Sequence, residues 1–316
     1  MLNEKNSAKI SKFSKLLIGL TAFLTILYIL SFTKSCSSSD KREKVKTALV
    51  NQKYRNTISY ITLQDATGSL ELNNYKGFWA LQRLSDYTSS QFQDTPSVPV
   101  SPERMENFLN ELITIRNLYK ISDKINKNSS LGLTNGTEFH ITYALPDSNG
   151  DLNSFRELIF GNQDFSLSSR YLMTGESTQV YEIDDSMDAY LTTSIQSWTE
   201  PYIISRQIVS TDIQTINRKA DIENKEKLLE LRHGGLPELL ELTALITTEN
   251  QNPETELEIE NGDKSRILLE IYKSVNDETS YIIKADYYKP DSKSAFYTSW
   301  LKISSWTYNK IKEITL

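Results

Sequence analysis

The hydrophobic pattern begins with one uncharged stretch of eighteen residues, 16–33. As an α-helix with a rise of about 1.5 Å per residue, this stretch is roughly 27 Å long, which matches a bilayer hydrocarbon core of about 30 Å. Cleaved export signals carry a shorter apolar run of about 7–15 residues. The stretch therefore predicts a transmembrane helix that is retained and contacts the lipid bilayer.

Two alternatives stay open for this segment. Ser35 is a small residue directly before Cys36, the only cysteine of the chain, as lipidation of Cys36 would require. Lys34 opposes this, because it puts a charge where the signal peptidase accepts a small side chain. Plain cleavage is the other alternative. Four lysines precede the apolar stretch and five basic residues follow it closely, so charge alone does not decide the orientation. A tail with four lysines is costly to move across a membrane, which favours a cytosolic N-terminus at the cytoplasmic (inner) membrane and a C-terminal body in the periplasm or outside the cell.

Residues 37–56 are polar and charged, and we interpret them as a juxtamembrane stem with a continuing helix from Lys41 to Arg55. From Thr57 onward apolar and polar residues alternate, which is typical of half-buried strands. Three such runs, separated by short turns, predict a three-stranded meander: TISYITLQD, GSLELNN and GFWALQRL.

The next segment has helical spacing. Ser101 is a suitable N-cap, Pro102 fits the first helical turn, and Glu103 favours the positive end of a helix. Six apolar residues then recur at intervals of one or three and form one stripe, which predicts a helix that extends through Leu118. They are Met105, Phe108, Leu109, Leu112, Ile115 and Leu118.

Alternation returns in residues 136–184 and predicts a four-stranded antiparallel meander, closed by a short helix over 187–198. The C-terminal part has a similar order, with helices within 223–247, four strands within 254–303, and a last helix after Leu301. The predicted fold class is therefore α+β, with one N-terminal transmembrane helix followed by antiparallel-sheet modules and packed helices. The order helix, four strands, helix occurs twice, so two repeated units are a further hypothesis.

The predicted domain organisation separates a basic front from an acidic body. It consists of a cytosolic tail and anchor (1–36), a stem (37–56), a first α+β module (57–206) and a second α+β module (207–316). Residues 1–46 hold nine lysines and arginines against three acids, a net charge of +6, whereas the remainder has a net charge of −12. An acidic body argues against nucleic-acid binding, and the basic front suits anionic lipid headgroups.

The sequence carries few signs of catalysis or cofactor binding. A single cysteine permits no intrachain disulfide, and His140 and His233 are too far apart in sequence to suggest a metal site. The paired glycines of the segment HGGLP follow no buried strand, so they do not predict a phosphate-binding loop. We therefore expect no enzymatic activity, no cofactor and no bound metal.

Several segments together resemble the bacterial domain of unknown function 4340 family. The resemblance is carried by the N-terminal apolar helix and by four quoted segments: ITLQDATGSLELN, SPERMENFLNELITIRNL, SLGLTNGTEFHITY and ELIFGNQDFSLSSRYLMTGESTQVYEID. The most distinctive positions are Leu131-Gly132-Leu133 before one strand and Gly161 at the end of the next. The resemblance implies a membrane-tethered extracytoplasmic protein, often found with ABC transporters of the gliding-motility type, and it supplies no catalytic residues.

Two functional hypotheses follow, and an envelope hydrolase, which would require carboxylates buried together in a pocket, stays open as a third alternative. The first is a non-catalytic accessory protein, anchored in the membrane, that contacts ABC transporter subunits or an envelope complex. The second is a solute- or glycan-binding envelope module whose tyrosines form a stacking surface. The candidate residues for this ligand or partner surface are Tyr287, Tyr288, Tyr297 and Trp300.

Overall fold

The computed structural model of the chain describes residues 20, 21, 23–25, 42–75, 77–83, 96–124, 130–134, 136–146, 152–208, 212–220, 222–247 and 252–315. Within the described part, no helix is both long and apolar enough to cross a bilayer. Most of the predicted span 16–33 lies outside the described residues, and so does Cys36. The chain divides into two compact units, Met1–Glu43 and Lys44–Leu316, and the second unit contains all the elements described below.

The second unit contains fifteen strands and five α-helices among its described residues. The strands are β1 (Lys44–Thr47), β2 (Tyr60–Asp65), β3 (Gly68–Tyr75), β4 (Phe78–Arg83), β5 (Val98–Pro99), β6 (Arg116–Ser122), β7 (Phe139–Pro146), β8 (Leu152–Gln163), β9 (Ser169–Thr174), β10 (Val180–Asp184), β11 (Ile213–Ile216), β12 (Thr255–Asn261), β13 (Arg266–Lys273), β14 (Ser280–Tyr288) and β15 (Tyr297–Ser304). The helices are α1 (Pro102–Ile113), α2 (Ile195–Trp198), α3 (Ile222–Leu229), α4 (Leu239–Thr247) and α5 (Ser305–Thr315).

The strands form two antiparallel sheets. The larger has ten strands in the order β1-β6-β10-β9-β8-β7-β2-β3-β4-β5, and the smaller has five in the order β11-β12-β13-β14-β15. The predicted meanders are confirmed as β2–β4, β7–β10 and β12–β15, while β11 adds an unpredicted edge strand to the smaller sheet. The α+β class with mostly antiparallel strands is thus confirmed for the described residues.

Two predictions about long helices are wrong, and the short helix predicted over 187–198 is divided into a 3₁₀ helix (Asp185–Tyr190) and α2. The stem does not continue as a helix from Lys41 to Arg55, because β1 pairs with β6 and a 3₁₀ turn follows at Gln52–Tyr54. Helix α1 ends at Ile113 and does not reach Leu118. The β-branched residues after Leu112 weaken the helix, and pairing of β6 with both β1 and β10 takes the following residues into the sheet.

One hydrophobic core extends across both sheets, from Val50 to Ile311. Ser101 caps α1 as predicted, since its side chain accepts a hydrogen bond from the Arg104 amide. The buried stripe of α1 includes Phe108, whose ring centre lies 5.2 Å from that of the fully buried Trp198. Burial of such large aromatic residues supplies much of the stabilisation of a core.

The two sheets meet where β5 lies beside β15. The Ser299 hydroxyl donates a hydrogen bond to the Ser97 carbonyl oxygen, at 3.1 Å. The segment after α3 also contacts β15: the Gly234 amide donates a hydrogen bond to the Lys302 carbonyl oxygen, and the Lys302 amide donates one to the Gly235 carbonyl oxygen. We call this contact region the β5–β15 junction, and it positions the cleft described next.

Candidate functional site

A cleft of about 590 Å³ opens beside the β5–β15 junction. One wall is the β3–β4 turn of the ten-stranded sheet, and the other is formed by the β12–β13 and β14–β15 turns of the five-stranded sheet. The lining residues are Tyr75, Gly77, Phe78, Gln207, Ile208, Asp263, Ser265, Tyr288, Lys289, Pro290 and Phe296. We call this site the aromatic cleft, because four of these residues are tyrosine or phenylalanine.

The first wall depends on the tight turn between β3 and β4. Gly77 adopts a φ of 120°, which glycine tolerates far better than other residues, and its amide donates a hydrogen bond to the Asn74 side chain at 3.1 Å. The turn pairs Tyr75 with Phe78 across the two strands, and their rings stack with centres 6.0 Å apart. Tyr75 is 40% exposed.

Tyr297 supports this wall from the core. Its ring centre lies 5.0 Å from that of Phe78 and 5.9 Å from that of Tyr75. Behind it, Tyr287 lies 5.8 Å away and donates a hydrogen bond from its hydroxyl to the Ile203 carbonyl oxygen. Burial raises the pKa of both Tyr287 and Tyr297, so both remain neutral. The wall is therefore backed by packed, uncharged rings.

The opposite wall combines aromatic rings with cations. The guanidinium of Arg266 lies 5.1 Å from the ring centre of Tyr288, and the Lys289 ammonium lies 5.4 Å from that of Phe296. Phe296 is 38% exposed, and its amide is fixed by a hydrogen bond to the Tyr287 carbonyl oxygen. Cations over aromatic faces stabilise this arrangement and leave charged groups at the rim.

Asp263 gives the rim a negative charge. Its Oδ1 accepts hydrogen bonds from the Ser265 hydroxyl at 2.5 Å and the Ser265 amide at 2.9 Å. The hydrogen bond from the Ser265 hydroxyl is the main reason that the pKa of Asp263 is lowered. A stable carboxylate on one side and Lys289 on the other can each contact polar groups of a ligand.

The four residues predicted as a surface do not share one face. Tyr288 lines the aromatic cleft, but Tyr287 and Tyr297 are buried in the core. Trp300 packs against Tyr272, with ring centres 6.4 Å apart, on the side of the sheet that contacts Leu242 and Leu245 of α4. The prediction that these four residues form one surface is therefore wrong. Successive side chains of a strand point to opposite faces, so Tyr287 and Tyr288 lie on opposite faces of the sheet.

Sequence reasoning missed Tyr75, Phe78 and Phe296. Two of them flank the turn in the segment NYKGFW, where paired aromatic residues around a glycine were a usable signal. Nothing local indicates that Phe296 faces this turn, because the β5–β15 junction brings the two segments together.

A family model described as "Domain of unknown function (DUF4340)" matches residues 91–280, more than half of the chain. The chain belongs to this family. No curated protein and no solved structure matched the chain. The DUF4340 match contains the Asp263 rim of the aromatic cleft, whereas Tyr75 and Phe78 precede it and Tyr288 and Phe296 follow it.

The positions that carried the DUF4340 resemblance have a packing role. The Asn162 amide donates a hydrogen bond to the Leu131 carbonyl oxygen at 2.8 Å, which holds the segment before β7 against β8. A Cβ atom on Gly161 would lie 2.1 Å from that same oxygen. Glycine is therefore required at position 161 by the close approach of the Leu131 backbone, and the motif has a role in packing.

Both histidines contact neighbours in structural arrangements. His140 Nδ1 lies 2.8 Å from Glu157 on the neighbouring strand, and its Nε2 lies 3.7 Å from Glu138. His233 Nδ1 accepts the Gly235 amide, so its Nε2 donates to the Glu200 carbonyl oxygen at 2.7 Å. Desolvation lowers the pKa of His233 and favours this neutral form. Among the described residues, no group of three or more histidine, cysteine or acidic side chains is arranged to hold a metal.

Proposed function

We propose that this protein is a non-catalytic, extracytoplasmic accessory protein that binds a ligand in its aromatic cleft. The observation that carries the proposal is the meeting of Tyr75 and Phe78 with Tyr288 and Phe296 around a cavity of about 590 Å³. Ligand pockets are typically clefts of about 300–1,000 Å³ lined by aromatic groups and a few placed polar groups. The cleft satisfies each of these conditions.

The ligand class that fits this chemistry best is a saccharide. One face of a sugar ring carries C–H groups, which pack against aromatic faces because those faces are negative. The sugar hydroxyls can donate to Asp263 and accept from Lys289. This proposal keeps the glycan-binding hypothesis but moves its site from the four predicted residues to the cleft around Tyr288.

The location and partners of the protein are further parts of the proposal. The apolar stretch 16–33 anchors the chain in the cytoplasmic membrane, with the body in the periplasm or outside the cell. ABC transporter subunits are the proposed partners, and the family resemblance is their only support. Lipidation of Cys36 is the alternative mode of attachment. The two runs of helix, four strands and helix are proposed to be repeated units.

Membrane extraction tests the anchoring. Full-length protein should remain in the pellet after an alkaline carbonate wash and enter solution with detergent. Mass spectrometry of the mature chain should then show residues 1–35 still present. Loss of those residues with an added lipid mass would assign attachment to Cys36, and full-length protein in the soluble fraction would contradict the anchor.

Calorimetric titration tests the cleft. The full chain in neutral detergent is titrated with cellobiose, chitobiose and maltose, and at least one should bind with saturable heat. Tyr288→Ala and Phe296→Ala should each weaken that binding at least tenfold. Phe155→Ala is the matched control, because Phe155 is 57% exposed on β8 and does not line the cleft. Equal binding by all variants, or no binding to the wild type at 10 mM sugar, would refute the saccharide proposal.

A further inference from the structure

One polar side chain of the aromatic cleft is held in a fixed orientation by the protein interior. Gln207 lines the cleft, and its Nε2 donates hydrogen bonds to the Val100 carbonyl oxygen and, at 3.4 Å, to Glu200 Oε2. Val100 and Glu200 are both buried. Turning the Gln207 amide over would set its oxygen against these two acceptors, so the contacts decide which end of the amide faces the interior.

The Glu200 carboxylate is itself held as an acceptor. Its Oε2 accepts a hydrogen bond from the Ser205 hydroxyl at 2.7 Å, and its Oε1 accepts one from the Arg206 backbone amide at 2.8 Å. The backbone amide of Gln207 donates to Ser205 Oγ at 3.2 Å. The backbone and the side chain of Gln207 are therefore both anchored, which lowers the entropic cost of using this side chain to bind a ligand.

The side-chain oxygen of Gln207, Oε1, is the part of this residue left for the cleft. An amide oxygen can accept two hydrogen bonds, and within the described part of the chain no donor is bonded to this one. A ligand with an N–H or O–H group at this point would satisfy it. A ligand without such a group would desolvate the oxygen without replacing its hydrogen bonds, which costs free energy.

An apolar side chain lies next to this acceptor. Ile208 follows Gln207 in the chain, lines the same cleft and packs against the hydrophobic core. An acetamido group combines the two matching features, because its N–H is a donor and its methyl group is apolar. A hydroxyl group at the same position of a sugar has the donor but has no methyl group to pack against Ile208.

The charges of the cleft favour a neutral substituent. The lining contains one carboxylate, that of Asp263, and one ammonium, that of Lys289, so its net charge is zero. A sugar with a net charge therefore gains no long-range attraction toward the cleft. The acetamido group is uncharged, whereas the free amine of an amino sugar is a cation.

We propose that the aromatic cleft selects saccharides that carry an N-acetylated amino group. Gln207 Oε1 accepts the N–H of the acetamido group, and Ile208 covers its methyl group. The ring hydroxyls contact Asp263 and Lys289. This inference rests on the saccharide-binding proposal above and names the class of sugar within it.

The test compares three disaccharides of β-1,4-linked glucose rings that differ at carbon 2. N,N′-diacetylchitobiose carries acetamido groups there, cellobiose carries hydroxyls, and deacetylated chitobiose carries amines. In calorimetric titration of the full chain in neutral detergent, diacetylchitobiose should bind at least tenfold more tightly than either of the others. In saturation-transfer NMR, its acetyl methyl protons should receive more saturation than its ring protons.

Protein variants assign the preference to the two residues. Gln207→Met removes the acceptor at similar side-chain length, and Ile208→Ala removes the apolar contact while leaving the Gln207 hydrogen bonds in place. Each should bring the affinities for diacetylchitobiose and cellobiose within threefold of each other. Gln64→Met is the matched control, since Gln64 is exposed on β2 and does not line the cleft, and it should keep the tenfold ratio. Thermal melts of all variants check that they fold.

The outcomes separate this inference from the proposal on which it rests. Cellobiose binding by the wild type that is as tight as diacetylchitobiose binding would overturn the preference and leave saccharide binding intact. An unchanged affinity ratio in Gln207→Met and Ile208→Ala would overturn the roles of these residues. No binding of any of the three sugars at 10 mM would overturn both proposals.

Discussion

The hydroxyl of Ser97 donates a hydrogen bond to the hydroxyl of Tyr297, and the two oxygens lie 3.2 Å apart. Ser97 precedes β5, the last strand of the ten-stranded sheet, and Tyr297 begins β15, the last strand of the five-stranded sheet. The same Tyr297 ring supports Tyr75 and Phe78. The contact that joins the sheets therefore also supports the wall of the aromatic cleft.

Removing this hydrogen bond should weaken the β5–β15 junction. Tyr297→Phe and Ser97→Ala should each lower the free energy of unfolding by about 1 kcal/mol, because each leaves a buried partner unsatisfied. The double variant should lose about 0.5–1 kcal/mol less than the sum of the single variants. Denaturant unfolding of the three variants measures this coupling, and strict additivity would show that the two hydroxyls do not interact.

The DUF4340 glycine at position 161 should tolerate no side chain. Gly161→Ala should lower the free energy of unfolding by about 2 kcal/mol or more, because the methyl group must displace the Leu131 backbone. Gly68→Ala is the control, since a Cβ there would contact nothing within 4 Å. Its effect should stay within about 1 kcal/mol. Similar losses in both variants would contradict the close-approach explanation.

His233 should make stability fall in mild acid. Because its pKa is lowered in the folded protein, the unfolded state binds the proton first as the pH drops below about 6.5. The free energy of unfolding should therefore be highest above pH 7 and should fall by about 1–2 kcal/mol between pH 7 and pH 5. His233→Gln keeps one donor and one acceptor without this titration, so its profile should be flatter. An equally steep profile in this variant would assign the loss to other groups.

Removing the charge of the buried Glu241 carboxylate should lower the free energy of unfolding more than removing that of an exposed carboxylate. It accepts hydrogen bonds from the Ser274 hydroxyl at 2.6 Å and the Lys302 ammonium at 3.0 Å. Glu241→Gln should cost about 2 kcal/mol, because it leaves the ammonium without a counter-charge. Glu313→Gln removes the exposed pair with Lys310 and should cost no more than about 0.5 kcal/mol. Equal costs in denaturant unfolding would contradict the role assigned to burial.

Local pattern predicted the strands and helix starts well. Alternation is a local property, so the meanders β2–β4, β7–β10 and β12–β15 could be predicted from sequence, as could the cap at Ser101. The end of α1 could not be predicted, because the residues from Arg116 onward form β6, and β6 pairs with the distant strand β1. The cleft was missed for a related reason: Tyr75 and Phe296 meet only through the β5–β15 junction.

Which aromatic residues face solvent was also hard to predict. Tyr287 and Tyr288 are neighbours, yet one is fully buried and the other lines the cleft. Because side chains alternate along a strand, Tyr287 and Tyr288 must lie on opposite faces of the sheet. Which of the two faces packs against the core depends on the position of the other sheet. Pairing between distant strands decides which face is buried, and that pairing could not be predicted from the sequence.

Hydroxyl-radical footprinting of the full chain, with and without a saturating saccharide from the titrated set, tests the binding account most directly. If the cleft binds the saccharide, Tyr75, Tyr288 and Phe296 should lose most of their oxidation in the presence of ligand, while Phe155 and Trp306 should keep theirs, since both are exposed outside the cleft. Unchanged oxidation of the three cleft residues, or protection centred on another surface, would contradict the aromatic cleft as the binding site.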